Sequence, residues 1–328
     1  MLQSCKRGMI KTYVRWMVIL LNGELPARWF PKKPKSILNR VEGMPFQWSI
    51  NPYRGCGHGC HFCYARGTHS WLGYGADDSF RNNIVVKRDA ADVLEAELKR
   101  GKWTGGGISL GTATDPYQQL EGKLGVTRSI LEVLRKYKVP CSITTRSPLI
   151  LRDLDLLREM EIHSINISIS TLDEGVWKCT EPSSPHPQQR LRTVARLVEA
   201  GLCAGLFLAP IIPYLTDEEQ TVENVIQEAQ AVEARFLSPS LLRLKPEVKS
   251  WFFRQLQSHY PLEVARLARL YEGAHAPESF RKPLLHRIRC QIEAAGFSTE
   301  IPIVNDGDRV GSAMAKKDEG DSIQLSLF

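Results

Sequence analysis

The sequence predicts an α/β fold: an open, partial (β/α)6 barrel followed by a helical C-terminal extension. Three observations predict it. From Gln47 to Leu244, short runs rich in apolar and β-branched residues alternate with longer stretches of helical period. Six such runs are present, and alternation of this length implies parallel strands joined by right-handed crossovers. Over 246–296 the strand-like runs cease and only helical period remains, carrying Trp251, Phe252, Phe253, Tyr260 and Tyr271.

In chain order, residues 1–45 are basic and irregular, with Pro31-Lys-Lys-Pro-Lys35 at their centre, and read as an arm rather than a domain. Inside it, Trp16–Leu21 follows Lys6, Arg7, Lys11 and Arg15, as the core of a signal peptide does. No small-residue cleavage site follows, because Asn22-Gly-Glu-Leu-Pro26 reads as a turn, so the run is taken as a packed or poorly ordered leader. The barrel spans 46–245, with strands expected at Gln47–Tyr53, Gly107–Thr112, Val139–Thr145, Ser164–Ser170, Leu202–Ala209 and Leu237–Leu244. Between them lie helices expected at Ala90–Arg100, Thr127–Lys138, Leu151–Glu161, Gln188–Ala200 and Asp217–Ala234. Asp89 and Thr216-Asp217 are N-cap candidates, and Gly201 stands where a glycine ends a helix. The helical extension covers 246–300, and 301–328 is a polar, Gly/Asp/Lys-rich tail expected to be disordered.

A chain of 328 residues, 43% hydrophobic and 24% charged, has the composition of an ordinary globular protein with one large core. Its net charge of +7 permits contact with a polyanion without requiring it. No apolar run approaches the ~20 residues needed to span a bilayer, so a cytoplasmic protein without membrane attachment is expected. Of eight cysteines, Cys5, Cys141, Cys179, Cys203 and Cys290 are scattered and read as small buried hydrophobes in a reducing compartment. The other three fall together and call for chemistry.

They lie in Asn51-Pro-Tyr-Arg-Gly-Cys56-Gly-His-Gly-Cys60-His-Phe-Cys63-Tyr64. Thiolates suit both zinc and iron–sulfur clusters. A structural zinc takes four ligands, usually as two separated pairs. Here no second pair follows, although His58, His61 or His69 could complete a zinc site. Three thiolates on a four-iron cluster instead leave one iron open to a small molecule. Gly55, Gly57 and Gly59 let the loop wrap closely around a bulky group. The loop follows the first strand, at the barrel end where catalytic groups collect. Thr112, Thr114, Asp115, Arg146, Ser168 and Ser170 stand at the same ends of later strands, though each alone could simply cap the next helix.

The spacing C-x3-C-x2-C, with Phe62 before the last cysteine, resembles the signature of the radical S-adenosylmethionine superfamily. Within it, the chain is similar to the branch related to spore photoproduct lyase, a DNA-repair enzyme. The resemblance covers roughly 45–245. It rests jointly on Ile50-Asn-Pro-Tyr-Arg-Gly55, Cys63-Tyr-Ala-Arg66, Gly111-Thr-Ala-Thr-Asp-Pro-Tyr-Gln118, Thr144-Thr-Arg-Ser147 and Arg152-Asp-Leu-Asp-Leu-Leu157. It implies a [4Fe-4S] cluster on Cys56, Cys60 and Cys63, reductive cleavage of S-adenosylmethionine to methionine and a 5′-deoxyadenosyl radical, and hydrogen abstraction from a substrate. It further implies that Thr114 and Asp115 meet the methionine end and that Arg146 pairs with the methionine carboxylate. Ser168 or Ser170 would touch ribose, and Phe62 and Tyr64 would flank the cofactor. Arg190 is a further candidate at the site, or else a solvated charge on a helix. The electron would come from a reductant such as flavodoxin or ferredoxin.

Two features bear on the substrate. The lyase uses a cysteine hydrogen donor at a position that is Thr112 here, and a hydroxyl cannot replace a thiol in that role. The lyase reaction is therefore not carried over, and Tyr64, Tyr117 or Cys179 are the other donor candidates. Second, the chain ends Gln324-Leu-Ser-Leu-Phe328, similar to the Q-L-x-L-F peptide by which bacterial repair and replication proteins dock on the sliding clamp. The expectation is a radical enzyme acting on DNA or another nucleic acid. The alternatives are a radical enzyme on a small molecule or protein, and a non-catalytic zinc or iron–sulfur protein recruited to the clamp.

Overall fold

The computed structural model describes residues 28–302, so the Trp16–Leu21 run and the Gln324–Phe328 peptide lie outside the described residues. Its centre is an α/β sheet whose strands are β2 (Asn39–Arg40), β3 (Trp48–Ile50), β6 (Ile108–Leu110), β7 (Cys141–Thr145), β8 (Ile162–Ile169), β9 (Ala204–Ile211) and β10 (Leu237–Leu241). The spatial order is β10-β9-β8-β7-β6-β3-β2, parallel throughout except that β2 runs antiparallel to β3. The six parallel strands are the six expected ones, each shorter than or shifted slightly from its sequence bounds. The sheet is open, with β2 and β10 at its edges.

Both faces of this sheet are covered, and β8 shows how the sequence divides them. Ile165, Ile167 and Ile169 are fully buried on one face, under the helices, while Ser164, Asn166 and Ser168 alternate onto the other. That second face is small and polar, which leaves room there for a cavity. Helices Ala90–Lys99, Val126–Lys136, Pro187–Glu199 and Glu219–Ala231 form where expected. The stretch 151–161 does not form one helix: a 3-10 turn at Pro148–Asp153 gives way to a short helix at Leu154–Leu157. There Asp153, fully buried, accepts from Arg152 and from Arg128 at 2.8 and 2.9 Å, and this tertiary anchor overrides helical period.

The caps are mixed. Gly201 (φ +81°) ends the Pro187–Glu199 helix as predicted. The Asp89 side chain makes no capping bond, however. Thr216 and Asp217 close the loop after β9 instead, accepting from the backbone N–H groups of Ile212 and Tyr214 at 2.7 Å each.

The described part of the 1–45 segment corrects the reading of an irregular arm. A second, three-stranded sheet joins β1 (Arg28–Lys32) in parallel to β5 (Asn83–Lys87), which pairs antiparallel with β4 (Tyr53–Arg54). Ile37 and Leu38 are buried, and both donate backbone N–H to Glu97 Oε2 at 3.0 and 2.9 Å. After β10 come helices Pro246–Leu256, Pro261–Leu270 and Glu278–Ala294. The first lays Phe252 edge-on against Phe62 and Trp251 edge-on against His61, so the extension braces the cysteine loop. Of the scattered cysteines, Cys141 is buried and Cys179 and Cys203 half-buried, whereas Cys290 is exposed, contrary to expectation. Among the described residues, no helix is long and apolar enough to cross a membrane.

Candidate active site

Cys56, Cys60 and Cys63 line one cavity at the C-terminal ends of the parallel strands, together with residues of β6, β7, β8, β9 and β10. The cavity opens to solvent, and with its mouth it holds about 1220 Å3 of empty space. The cysteine loop is held from behind. Gln118 accepts from Gly57 N at 2.9 Å and donates to Gly55 O, and Thr180 O accepts from His61 N at 2.8 Å. Arg66, fully buried, donates to the carbonyls of Gly59 and Cys60, and its guanidinium stacks on Phe80 and Trp251 at 5.6 and 5.3 Å. The glycines serve this backing: a Cβ on Gly57 would lie 2.4 Å from Gln119 Oε1, and one on Gly55, at φ +85°, 2.8 Å from Phe80 O. Burial pushes the Cys60 thiol up to about 12, and Cys56 higher still, with Asp115 and Cys60 adding to burial there. Buried thiols like these become good ligands only when a cation offsets the cost of ionising them.

The donor set fits an iron–sulfur cluster better than zinc. The three candidate histidines are engaged elsewhere: His58 Nε2 lies 3.2 Å from Asp115, His61 Nδ1 2.8 Å from Cys179 O, and His69 Nε2 2.8 Å from Asn83 O. Among the described residues, no three His, Cys, Asp or Glu side chains converge closely enough to hold a single ion. A cube with one thiolate per iron takes its ligands farther apart.

Asn51 shapes the loop after β6, accepting from Ala113 N at 2.7 Å and Thr114 N at 3.3 Å and donating to Thr112 Oγ1 at 2.9 Å. Thr114 lines the cavity, its hydroxyl donating to Tyr53 O at 3.2 Å. Asp115 also lines it, but both carboxylate oxygens are taken. Oδ1 accepts from Tyr117 N and Thr145 Oγ1 at 2.8 and 2.6 Å, and Oδ2 from Arg146 N at 2.7 Å with His58 alongside. Burial opposes its ionisation, yet these partners, His58 foremost, hold it down at about 2. Asp115 thus fixes the start of the Arg146 segment. The Arg146 guanidinium sits 5.8 Å from the Phe62 ring centroid and 3.3 Å from Glu181, in the cavity wall beside the cysteines. Tyr64 lines the cavity and donates its hydroxyl to Thr112 O.

The structure separates the remaining candidates. Ser168 lines the cavity, whereas Ser170 donates to Glu181 and lies outside the lining. Arg190 is neither a cofactor contact nor a solvated charge. It is fully buried, with Nε on Pro185 O at 2.8 Å, Nη1 on Ser168 O at 3.0 Å and Nη2 on Glu181 at 2.6 Å, and it stays out of the lining. Tyr117 is also corrected: it packs in the core, with Asp153 near its phenol, away from the cavity. Cys179 does not reach the lining either. Sequence reading assigned no role to Glu181, Asn51, Arg66 or Arg243. Asn51 and Arg66 sit inside the quoted motifs, but Glu181 and Arg243 are single charges whose partners only the fold reveals.

Residues 50–225 match the family model of the Radical SAM superfamily. Over 261 residues the chain is 34% identical to an uncharacterized protein of Mycobacterium tuberculosis, spanning 77% of each chain. It is 31% identical over 229 residues to an uncharacterized protein of Methanocaldococcus jannaschii, spanning 70% of this chain and 82% of the other. Among solved structures, spore photoproduct lyase complexed with dinucleoside spore photoproduct aligns with a TM-score of 0.61 at 15% identity, over 83% of this chain and 82% of the other. A mutant of that lyase with bound AdoMet and dinucleoside spore photoproduct aligns with a TM-score of 0.60 at 14% identity, over the same 83% and 82%. At such identities the likeness shows the fold.

Proposed function

The chain belongs to the radical S-adenosylmethionine superfamily, whose members use a [4Fe-4S] cluster and S-adenosylmethionine, and on that premise we propose that it is a radical enzyme acting on nucleic acid. The observation that carries the catalytic reading is the convergence of Cys56, Cys60, Cys63 and Arg146 on one cavity at the strand ends. We read the open sheet as a partial (β/α)6 barrel with that cavity at its mouth. The cysteines hold the cluster, and Arg146 receives the methionine carboxylate in a charge-assisted pair. Ser168, rather than Ser170, faces the ribose. Thr114 and Phe62 complete the cofactor wall, while Asp115 acts by placing Arg146 and Thr145. Bound together, cluster and cofactor supply a 5′-deoxyadenosyl radical for hydrogen abstraction.

Tyr64 is the hydrogen-donor candidate left in the cavity, its O–H held toward Thr112 O. Cluster ligands aside, no cysteine among the described residues lines the cavity, so a reaction with a thiol donor, as in the lyase, is not proposed. The nucleic-acid assignment rests on the fold shared with an enzyme solved with a dinucleoside photoproduct, on the +7 charge and on the clamp-like Gln324–Phe328 tail. Flavodoxin or ferredoxin is the proposed electron source, and the cytoplasm the proposed location.

The test is anaerobic: reconstitute with iron and sulfide, add dithionite and S-adenosylmethionine, and assay 5′-deoxyadenosine with and without DNA. Wild type should form it, faster with DNA, and Cys60→Ala should lose both the cluster and the product. A wild-type protein that takes up zinc and no cluster would overturn the catalytic reading. Product formation indifferent to every nucleic acid offered would overturn the substrate.

A further inference from the structure

Arg243 follows β10, and its side chain enters the same cavity from the wall carrying Ser240, Leu241 and Leu242. Its backbone is pinned on both sides. Leu242 N donates to Ile211 O at 2.9 Å, Leu244 N donates to Ala274 O at 2.8 Å, and Tyr271 donates its hydroxyl to Leu242 O at 2.7 Å. The guanidinium is therefore presented by a rigid segment rather than a free loop. Its Nε and Nη1 are shut off from water and have no hydrogen-bond acceptor among the described residues.

Neither Asp115, the carboxylate in the described lining, nor Glu181 behind it is free to answer it. Asp115 is saturated by Thr145, His58 and two backbone N–H groups. Glu181 is taken by Arg190, Ser170, Ser184 and Arg146. The two cavity arginines are thus unequal: Arg146 has Glu181 beside it as a counter-ion, and Arg243 has none among the described residues. A guanidinium keeps its charge at any working pH, and desolvating it without an anion is costly. Its fork of N–H donors matches the paired oxygens of a phosphate or carboxylate. We propose that Arg243 binds an oxyanion, phosphate or carboxylate, carried by the substrate, and so orients the substrate against the cysteine side of the cavity. This deepens the reading of the cavity as a radical active site and rests on it: Arg146 takes the cofactor's carboxylate, and Arg243 takes the substrate's anion.

The test uses anaerobically reconstituted full-length protein, titrated calorimetrically with inorganic phosphate and, separately, with acetate at fixed ionic strength. S-adenosylmethionine is titrated in parallel, with wild type, Arg243→Gln and Arg243→Lys checked for folding by circular dichroism. At least one anion should bind wild type. Arg243→Gln should weaken it about tenfold or more, the size of a lost charge-assisted bond. Arg243→Lys should fall between, since an ammonium keeps the charge and loses the fork, and it serves alone if the glutamine variant does not fold. Phosphate stronger than acetate assigns a phosphate-bearing substrate, and the reverse assigns a carboxylate. Three outcomes overturn the proposal: neither anion binds wild type, the variants bind as wild type does, or cofactor affinity falls as far as anion affinity. If wild type binds no cofactor but phosphate binding still depends on Arg243, the radical-site reading fails and the anion site stands.

Discussion

Glu181, only 1% exposed, shows how much of this site rests on single buried charges. Its Oε2 lies 2.6 Å from Arg190 Nη2 and 3.3 Å from Arg146 Nε, while Ser170 and Ser184 donate to the same carboxylate. Glu181→Gln keeps the volume and strands two guanidiniums, so it should cost about 3–5 kcal/mol, the usual loss on breaking a buried pair from one side. Urea unfolding at neutral pH measures this. Burial alone would push the Glu181 carboxyl up, but Arg190 and then Arg146 outweigh it and hold it at about 2, below its ordinary 4.5. A carboxylate depressed by folding adds stability that is complete above its unfolded value and is lost as pH falls through the folded one. Wild type should therefore lose stability between about pH 4.5 and 2, and Glu181→Gln should lack Glu181's share of that slope. A slope identical in the two proteins would remove Glu181 from this role. None of it is legible in the string Glu181-Pro182. The cysteines are legible because Cys56, Cys60 and Cys63 fall together in one short loop, whereas Glu181 finds its arginines through the fold.

At the scale of elements, β9 and β10 meet where Gly205 leaves no room for a side chain. A Cβ there would lie 2.5 Å from Phe236 O, which accepts from Leu206 N at 3.0 Å, and 2.7 Å from the Phe236 ring. Gly205→Ala should cost about 1–3 kcal/mol as overpacking. Gly273→Ala, with nothing within 4 Å, should stay within about 0.5 kcal/mol of wild type. Thermal unfolding of the pair tests the register, and equal effects would refute it. The six parallel strands were readable because each carries its own local period and is followed by a helix, a turn or a glycine that marks its end. The sheet of β1, β4 and β5 was not. Tyr53–Arg54 is only two residues, β1 is exposed along most of its length, and these strands pair with partners distant in sequence. The buried Ile37-Leu38 pair is likewise fixed by Glu97, some sixty positions on, a tie no local pattern announces. Helix 151–161 failed for the opposite reason: its period was sound, and the Arg128–Asp153–Arg152 cluster overrode it.

For the molecule as a whole, the C-terminal helices are part of the site's support. Trp251 and Phe252 press on the cysteine loop through Arg66, His61 and Phe62, so the extension and the loop should unfold as one unit. The charge of +7 and the pI near 9.0 permit a polyanionic substrate for the assembled cavity. If the substrate is nucleic acid, phosphate contacts release counter-ions and affinity falls steeply with salt. The slope is about −0.9 per neutralised phosphate on duplex and about −0.7 on single strands. Holoprotein titrated with short duplex and single-stranded DNA from about 50 to 200 mM salt should give a linear log–log plot. On each DNA the slope, divided by the value for that form, counts the phosphates engaged, and the form bound more tightly tells a paired from an unpaired substrate. Arg243→Gln should lower that slope by about one phosphate's worth if the anion in the cavity belongs to the backbone. Removing Gln324–Phe328 should leave the slope alone, because a peptide of the proposed clamp-docking kind would bring a second partner and not a phosphate contact. Failure to bind either DNA at the lowest salt would direct attention to a small-molecule or protein substrate, with the cysteine cavity unchanged as the place where the reaction occurs.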